Sequence, residues 1–297
     1  MAEKAAVSCC ITPKALPLVL QYKQNNRNMK KSFSIILSSV LFFLFSCGIE
    51  NIGKNVATDA NNGFSFNVIG IQKTQRLIIT DSLSPTISFD ISLAQLTLNN
   101  KEAEARIDSA LAEGLFGFST TLIDAAEKFI EERQNAHMDY RDVYINSKEG
   151  DIPHFMMSEY YNIAGTAEVG YKGCINYFVY WEEYTGGAHP STVCHFLNYD
   201  PVSGNEITLD DVLKEGYEDR LLAMLTNKLL KYAGAANIDE LHEIGYLIFG
   251  DDMHITKNVK LGKEGISFLY NRYEIAPYAM GETTLQLTYN ELKDLLK

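Results

Sequence analysis

The stretch Tyr177–Val212 constrains the fold of this chain most, because its residues predict strand, turn, strand, turn and helix in unbroken succession. An aromatic-rich run, Tyr177–Tyr184, and a second run, Ser191–Tyr199, flank a short loop that contains Gly186 and Gly187. Two β-type runs joined by a short glycine-containing loop are typical of a β-hairpin. We therefore expect a hairpin here, around which the rest of the chain is arranged.

A turn and a capped helix are predicted immediately after this hairpin. In Asp200–Gly204, the proline presets φ and the final glycine supplies a positive φ, which together favour a turn. Thr208–Asp211 has the spacing of a capping box, and the apolar Val212 and Leu213 follow it. We expect a helix to begin at this box.

Several blocks of this stretch, and of the chain after it, resemble a C-terminal domain of unknown function. The blocks are Tyr184–His189, Asn198–Asp200, Ser203–Gly204, Thr208–Val212, Phe268–Asn271 and Tyr273–Gly281. That domain occurs in RsiV-type anti-sigma factors, in PdaC-type peptidoglycan deacetylases and in many lipoproteins of the Bacteroides group. The resemblance covers roughly Tyr177–Lys297 and extends to a companion N-terminal domain from about Phe64.

The resemblance implies a binding function. RsiV-type proteins use this kind of domain to bind lysozyme, so a lysozyme-like muramidase or a cell-wall fragment is the implied partner. PdaC-type proteins carry out their chemistry in a separate deacetylase domain with its own metal-binding motifs. We do not expect that activity here, because these 297 residues lack such a domain. Residues 1–28 are too few for a sigma-binding domain, so anti-sigma activity is not expected either.

The N-terminal region predicts a lipoprotein signal. Met29–Lys31 supplies a charged start and Phe33–Phe45 is almost wholly apolar, as in a secretory signal. This apolar run is shorter than the roughly 20 residues that a membrane-spanning helix needs. It ends at Leu44–Cys47, which resembles a lipobox, so we expect cleavage before Cys47 and attachment of acyl chains to it. An ordinary signal peptide with an incidental Cys47 is the alternative.

The residues around this signal complete the prediction of an envelope protein. Residues 1–28 are expected to be a spurious or disordered extension, since translation would begin at Met29; the alternative is a genuine cytoplasmic segment. Residues 29–46 form the signal, and residues 47–63, rich in Asn, Gly and Ala, predict a flexible tether. We therefore expect a lipid-anchored protein of the bacterial cell envelope, on the periplasmic face of the outer membrane.

Charge argues against nucleic acid as a partner. The full chain carries 26 basic and 38 acidic residues, a net charge of −12. Residues 1–46 contain six of the basic and one of the acidic residues, which leaves 20 and 37, a net charge of −17, for residues 47–297. Nucleic-acid-binding domains carry a basic patch or stripe, and the composition of this range offers none.

Periodicity after the tether predicts an α+β fold with mostly antiparallel sheets, paired helices packed on one face and two closely associated subdomains, 64–170 and 171–297. The β-type runs are Phe64–Thr80, Thr86–Leu98, Phe155–Ala167, Thr256–Leu261, Ile266–Tyr270 and Leu285–Tyr289. Apolar helical faces are formed by Ala103, Ile107, Ala110 and Leu111, by Leu122, Ala126, Phe129 and Ile130, and by Leu221, Leu222, Leu225, Leu229 and Leu230. Short helices are expected at Ile238–Glu243 and Glu291–Lys297, and Gly114 and Gly117 are expected to separate the first two helices.

The candidate ligand-binding residues lie in the hairpin and are Tyr180, Trp181, Tyr184, Gly186, Gly187 and His189. A second aromatic set follows in the tail and consists of Tyr270, Tyr273 and Tyr278. Rings next to carboxylates are typical of surfaces that bind sugars or proteins. Because side chains alternate along a strand, part of each set is expected to lie in the core.

No catalytic residue and no cofactor is predicted. His189 has three carboxylates near it in sequence, on Glu182, Glu183 and Asp200, but no nucleophile motif accompanies it, so we expect it to fix the turn. Adjacent strand residues point to opposite faces, so Glu182 and Glu183 could not flank one glycosidic bond. A hydrolase acting on peptidoglycan or another polysaccharide is the enzyme alternative. A purely structural envelope protein is the third.

The histidines and cysteines predict no metal site. His189, His195, His242 and His254 lack the spacing of metal ligands. Cys174 and Cys194 would lie too far apart along the hairpin for a disulfide, so we expect two buried free thiols.

Overall fold

The computed structural model describes residues 57–59, 64–147, 154–248 and 253–297. All of these residues belong to one unit, Gly48–Lys297. The expected N-terminal extension, the expected signal, the predicted acylation site at Cys47 and most of the expected tether lie outside the described residues. None of the helices in the described ranges is long and apolar enough to cross a membrane.

Within the described residues, the larger sheet contains six strands in sequence order. They are β1 (Ala57–Asp59), β2 (Phe64–Arg76), β3 (Thr86–Leu98), β4 (Glu159–Val169), β5 (Ile175–Tyr184) and β6 (Ser191–Tyr199). Neighbours are antiparallel except β3 and β4, which pair in parallel. A parallel pair needs a long crossover, which here contains α1 (Lys101–Phe116), α2 (Leu122–His137) and α3 (Tyr140–Asn146).

The first two helices begin at side-chain caps and pack on one face of this sheet. Asn100 Oδ1 accepts hydrogen bonds from the backbone N–H groups of Glu102 and Ala103 at the start of α1. Thr121 Oγ1 accepts one from the backbone N–H of Asp124 at the start of α2. Apolar side chains of both helices join those of β3, β4 and β5 in one core. The predicted pair of helices on one sheet face is therefore confirmed.

The predicted helix faces agree with this core except at α1. Seven of the predicted side chains are buried: Ala103, Ile107, Leu111, Leu122, Ala126, Phe129 and Ile130. Ala110 is exposed, because the buried stripe of α1 shifts toward Ala112 and Phe116 along the helix. Gly114 lies inside α1, and Gly117 ends the helix with a φ of 80°. Gly117 alone of the two glycines therefore separates the helices.

The C-terminal part forms a three-stranded antiparallel sheet. Its strands are β7 (Val259–Leu261), β8 (Gly265–Tyr270) and β9 (Thr283–Thr288), and α4 (Leu209–Val212), α5 (Glu218–Ala233) and α6 (Ile238–Ile244) precede them. Leu221, Leu225 and Leu229 of α5 are fully buried in a second core with the side chains of this sheet. The predicted capping box at Thr208–Asp211 is present, although α4 is a single turn. Together with the larger sheet, these elements confirm the α+β fold with mostly antiparallel sheets.

Two differences from the predicted elements occur near the start of β4. The strand begins at Glu159 rather than at Phe155, because His154–Met157 form a 3₁₀ turn. The preceding helix α3 is not predicted from the sequence; it is only seven residues long and buries none of its side chains, although Tyr140, Val143 and Ile145 are large and apolar. Amphipathic periodicity identifies a helix only where one face is buried.

The tail Glu291–Lys297 forms turns rather than the predicted helix. Lys214 N donates to Leu295 O, and Lys297 N donates to Val212 O, so backbone groups of the tail pair with the segment after α4. A run of seven residues gains little from helix formation by itself. Pairing with the neighbouring segment therefore determines its conformation.

Asparagine side chains join the two sheets where β6 meets β7. Asn198 Nδ2 donates to Val259 O at 2.8 Å, and Leu261 N donates to Asn198 Oδ1 at 3.0 Å. Asn176 Nδ2 on β5 donates to the same oxygen at 2.8 Å. Asn198 therefore satisfies two backbone groups of β7 inside the protein, as buried polar groups require, and Asn176 holds its amide in place.

Two further asparagines cover the outer edge of β6. Phe196 N donates to Asn258 Oδ1, and Cys194 N donates to Asn271 Oδ1, both at 2.7 Å. An uncovered strand edge is a site of unwanted pairing. These side chains take the place of a neighbouring strand.

The two cores divide near residue 200. The first contains buried side chains between Phe64 and Tyr199, and the second contains Cys174 and side chains from Leu209 onward. The expected boundary between residues 170 and 171 falls between β4 and β5, which pair with each other. The division into closely associated subdomains 64–170 and 171–297 stays a prediction.

Candidate ligand-binding surface

The predicted hairpin is present, and its register places the candidate residues on two faces. Tyr180 lies opposite Cys194, and Glu182 lies opposite Thr192. Because side chains alternate along a strand, Tyr180, Glu182 and Tyr184 share one face of β5. The residues between them lie on the other face.

Trp181 lies on the face that the helices cover. Its ring centroid is 5.9 Å from that of Phe116 and 5.3 Å from that of Phe129, and its Nε1 donates to Glu183 Oε2 at 2.9 Å. The ring is partly buried beside core side chains. The structure therefore places this candidate apart from the two hairpin tyrosines.

On the opposite face, tyrosines surround Glu182. Its carboxylate accepts hydrogen bonds from the Tyr180 hydroxyl at 2.8 Å and from Asn162 Nδ2 at 3.3 Å. The ring of Tyr184 stacks on Tyr160, its neighbour on β4, with centroids 5.9 Å apart and planes 22° apart. Burial, followed by the hydrogen bond to Glu182, raises the pKa of Tyr180, so its phenol stays protonated and donates.

The hairpin loop contacts the tail of the chain through His189. The imidazole stacks on the ring of Tyr278 with centroids 3.9 Å apart, and its Nε2 lies 3.3 Å from the hydroxyl of Tyr273. Its Nδ1 lies 2.9 Å from the carbonyl oxygen of Pro190, within its own loop. The structure thus brings together two aromatic sets that are far apart in sequence.

The tail also places a cation on an aromatic ring. The guanidinium carbon of Arg272 lies 4.3 Å from the ring centroid of Tyr278, and Arg272 Nε lies 3.0 Å from Glu282 Oε1. Tyr273 is 58% exposed and has a φ of 70°, which non-glycine residues rarely adopt. Its backbone N–H donates to Ala276 O at 2.8 Å, which closes the turn that presents the ring.

The two candidate glycines shape the loop. Gly186 and Gly187 have φ values of 93° and 106°, a region that side chains rarely adopt. A Cβ atom on Gly186 would lie 2.9 Å from the carbonyl oxygen of Met156. Gly187 O accepts a hydrogen bond from the Tyr184 hydroxyl at 3.0 Å. The observed contacts of these two glycines are therefore with Met156 and Tyr184 of the same chain.

We define the aromatic surface as Tyr160, Tyr180, Glu182, Tyr184, His189, Tyr273 and Tyr278. Sequence reasoning missed Tyr160, because alternation along β4 does not indicate that β4 pairs with β5. Tyr270 does not belong to this surface, since it is fully buried and its hydroxyl donates to His254 O at 2.7 Å. Part of each aromatic set thus lies in the core, as expected.

The two thiols are buried and free, as predicted. Burial raises the pKa of Cys174 to about 11 and that of Cys194 to about 12. Within residues 64–147, 154–248 and 253–297, no group of three or more His, Cys, Asp and Glu side chains could hold a metal ion.

A cleft of about 540 Å³ lies away from the aromatic surface. Phe64 and Phe66 of β2 and Lys260, Ser267 and Gln286 of the second sheet are among its lining residues. Nothing that lines it belongs to the aromatic surface. The candidate site is therefore an open face and loop rather than this cavity.

The part of the chain that follows the hairpin matches a known family model. Residues 210–290 match DUF3298, a protein of unknown function. This range includes the second sheet and the tail residues Tyr273 and Tyr278, whereas the hairpin lies before it. A comparison with curated proteins found no match.

Two solved structures of DUF3298 proteins resemble the chain over a wider range. A member of this family from Bacteroides fragilis is 25% identical, with 80% of this chain and 95% of the other covered at a TM-score of 0.69. A family protein from Pseudomonas aeruginosa is 18% identical, with 78% and 94% covered at a TM-score of 0.52. The shared fold therefore extends well beyond residues 210–290.

Proposed function

We propose that this protein is a non-enzymatic, lipid-anchored binding protein of the bacterial cell envelope, and that its aromatic surface binds a lysozyme-like muramidase. The observation that carries the proposal is the contact of the hairpin loop with the tail, where His189 stacks on Tyr278 and leaves Tyr273 58% exposed. Aromatic side chains supply much of the binding energy of protein interfaces. A cell-wall fragment is the other ligand implied by the resemblance to RsiV-type proteins.

Charge supports a basic protein as the partner. Residues 47–297 carry a net charge of −17, and lysozymes are commonly basic. Opposite net charges speed the encounter of two proteins and disfavour partners of the same sign. The long-range attraction should therefore weaken as ionic strength rises.

The open shape of the aromatic surface also favours a macromolecular ligand over a small molecule. Sites for small molecules are usually enclosed and mostly apolar. Tyr160 and Tyr184 instead lie partly exposed on a sheet face, and Tyr273 projects from a turn. A broad surface of rings beside a carboxylate suits the contact area of a folded partner.

The geometry gives less support to the hydrolase alternative. Glu182 and Glu183 accept hydrogen bonds from Tyr180 and Trp181 on opposite faces of β5. A glycosidase places two carboxyl groups on either side of one bond. We therefore propose no catalytic role for this pair.

Calorimetry tests the binding proposal. The full chain, solubilised in a non-ionic detergent, is titrated at low ionic strength with a basic lysozyme and, separately, with soluble muropeptides. We expect the lysozyme to bind, with an affinity that falls as salt is added. Binding of the muropeptides alone would identify a cell-wall fragment as the ligand. If neither binds, the proposal is wrong.

Metabolic labelling tests the proposed anchor. A fatty-acid probe should label the wild-type chain in its bacterial host, and Cys47→Ala should abolish the label. Attachment of more than one acyl chain gives stable anchoring where a single chain is marginal. Unchanged labelling of the Cys47→Ala variant would contradict acylation at this residue.

A further inference from the structure

The Glu182 carboxylate is held in place by uncharged hydrogen-bond donors. Among the residues that the structure describes, no cationic side chain pairs with it. The Tyr180 hydroxyl donates to it at 2.8 Å, and Asn162 Nδ2 donates at 3.3 Å. The described part of the chain places no Lys, Arg or His nitrogen within ion-pair distance of it. Its side chain is partly exposed, so a ligand from solvent can reach it.

Tyrosine rings lie around this carboxylate. Tyr160 and Tyr184 stack on each other, and this pair lies two residues along β4 and β5 from the pair of Asn162 and Glu182. Burial, and then the nearby charge of Glu182, raise the pKa of Tyr160, which agrees with their proximity. A ring face attracts a cation electrostatically, and a carboxylate accepts charge-assisted hydrogen bonds from ammonium or guanidinium groups.

The same chemistry already occurs within the chain, in the tail. There the Arg272 guanidinium carbon lies 4.3 Å from the Tyr278 ring centroid, and its Nε lies 3.0 Å from Glu282. Arg272 thus supplies, from within the chain, the cation that contacts both the Tyr278 ring and the Glu282 carboxylate. The combination at Glu182 has rings and a carboxylate but no such cation among the described residues.

We propose that Glu182, Tyr160 and Tyr184 form a subsite for an organic cation, namely the ammonium or guanidinium group of a Lys or Arg side chain on the bound partner. The proposal rests on the proposed function for the identity of that partner. It adds a specific contact to the general attraction between an acidic chain and a basic protein. The partner's cation would lie against the exposed part of the rings and bond to the Glu182 carboxylate.

Two substitutions on adjacent residues separate this contact from general electrostatics. Glu182→Gln and Glu183→Gln each remove one negative charge with little change of shape, so long-range steering falls equally in both. Glu183 lies on the helix-covered face and bonds to Trp181. Calorimetry of the full chain in non-ionic detergent measures both variants against a basic lysozyme and against tetralysine.

We expect Glu182→Gln to weaken binding by about tenfold, and Glu183→Gln by less than about twofold, since a specific contact with a desolvated charge exceeds the effect of a distant charge. Tyr184→Leu, which keeps the carboxylate but removes a ring face, should weaken binding by about fivefold. Melting curves close to wild type show that each variant is folded. A loss specific to Glu182 with either ligand supports the subsite.

The remaining outcomes distinguish this inference from the proposed function. If tetralysine binds in a manner that depends on Glu182 but lysozyme does not bind, the subsite stands and the muramidase is rejected. If lysozyme binds both Gln variants equally and tetralysine shows no difference, the muramidase stands and the subsite is overturned. Binding of neither ligand to wild type overturns both.

Discussion

Two aromatic–glutamate pairs on β5 share the same local hydrogen bond but lie in different environments. The pairs are Tyr180 with Glu182 and Trp181 with Glu183. In each pair an aromatic side chain donates to the glutamate two residues later, at 2.8 Å and 2.9 Å. Trp181 packs against Phe116 under the helices, whereas Tyr180 lies on the uncovered face with the rest of the aromatic surface. The local hydrogen bond is therefore the same in both pairs, and the position of the helices decides which pair can meet a ligand.

The face that carries Glu182 is itself covered at its other end. Asn176 and Asn198 lie on the same face of β5 and β6, yet they are only 2% and 3% exposed because β7 packs against them. One sheet face thus changes from an open surface to a buried polar contact within a few residues. Substitutions at the buried end should therefore lower the stability of the fold, whereas substitutions at the open end should weaken binding of a partner with little effect on stability.

The largest expected effect on stability distinguishes the two faces of β5. Trp181→Ala should lower the free energy of unfolding by about 3 kcal/mol, near the lower end for a core aromatic residue because the ring is partly buried. Tyr184→Ala should lower it by about 1 kcal/mol, the order of one stacked aromatic pair. Urea denaturation followed by circular dichroism measures both. Similar losses for the two variants would mean that the faces do not differ as the packing indicates.

The next effect distinguishes the two ends of the open face. Asn198→Ala should lower the free energy of unfolding by about 2 kcal/mol, because it leaves buried groups of Val259 and Leu261 without hydrogen-bond partners. Asn162→Ala is the matched control, since Asn162 is exposed and donates to Glu182. Its effect on stability should stay within about 0.5 kcal/mol. A loss at Asn162 equal to that at Asn198 would contradict the division of the face.

The hairpin could be predicted because its signals are local. Alternation of aromatic residues, a loop with two glycines, and the turn at Asp200–Gly204 all lie within one short stretch, and the observed strands follow them. Alternation also predicts that Trp181 and Tyr180 lie on opposite faces. It does not predict which face the helices cover, so both residues remain candidates until the crossover between β3 and β4 is known.

The rest of the aromatic surface depends on long-range contacts. Tyr160 reaches Tyr184 because β4 and β5 pair antiparallel along their length, so that the start of β4 lies beside the end of β5, and His189 reaches Tyr278 because the tail turn packs against the hairpin loop. The tail Glu291–Lys297 shows the same limit, since its backbone pairs with the segment after α4 instead of forming a helix. These outcomes depend on which elements meet, and spacing within one element carries little information about that.

The reactivity of Cys194 locates the edge of the open face. Cys194 lies opposite Tyr180, on the face of β6 shared with Thr192, but it is buried and its backbone N–H donates to Asn271 of the tail. Burial raises its pKa to about 12 and that of Cys174 to about 11, so both thiols stay protonated as pH rises to 8. At pH 8, a group with a pKa near 12 is about 0.01% thiolate, the form that reacts.

Alkylation by iodoacetamide at pH 8, followed by mass spectrometry of the peptides, measures this protection. We expect Cys194 and Cys174 of the folded chain to react at least about 100-fold more slowly than the exposed cysteine of a Ser191→Cys variant, because thiolate content and access are both low. In urea, all of these thiols should react at similar rates, since unfolding restores their ordinary pKa. Rapid labelling of Cys194 with Cys174 still protected would mean that the tail turn at Asn271 opens in solution. The surface available to a partner would then extend from Glu182 along β6, and the subsite proposed at Glu182 would be one part of a larger contact.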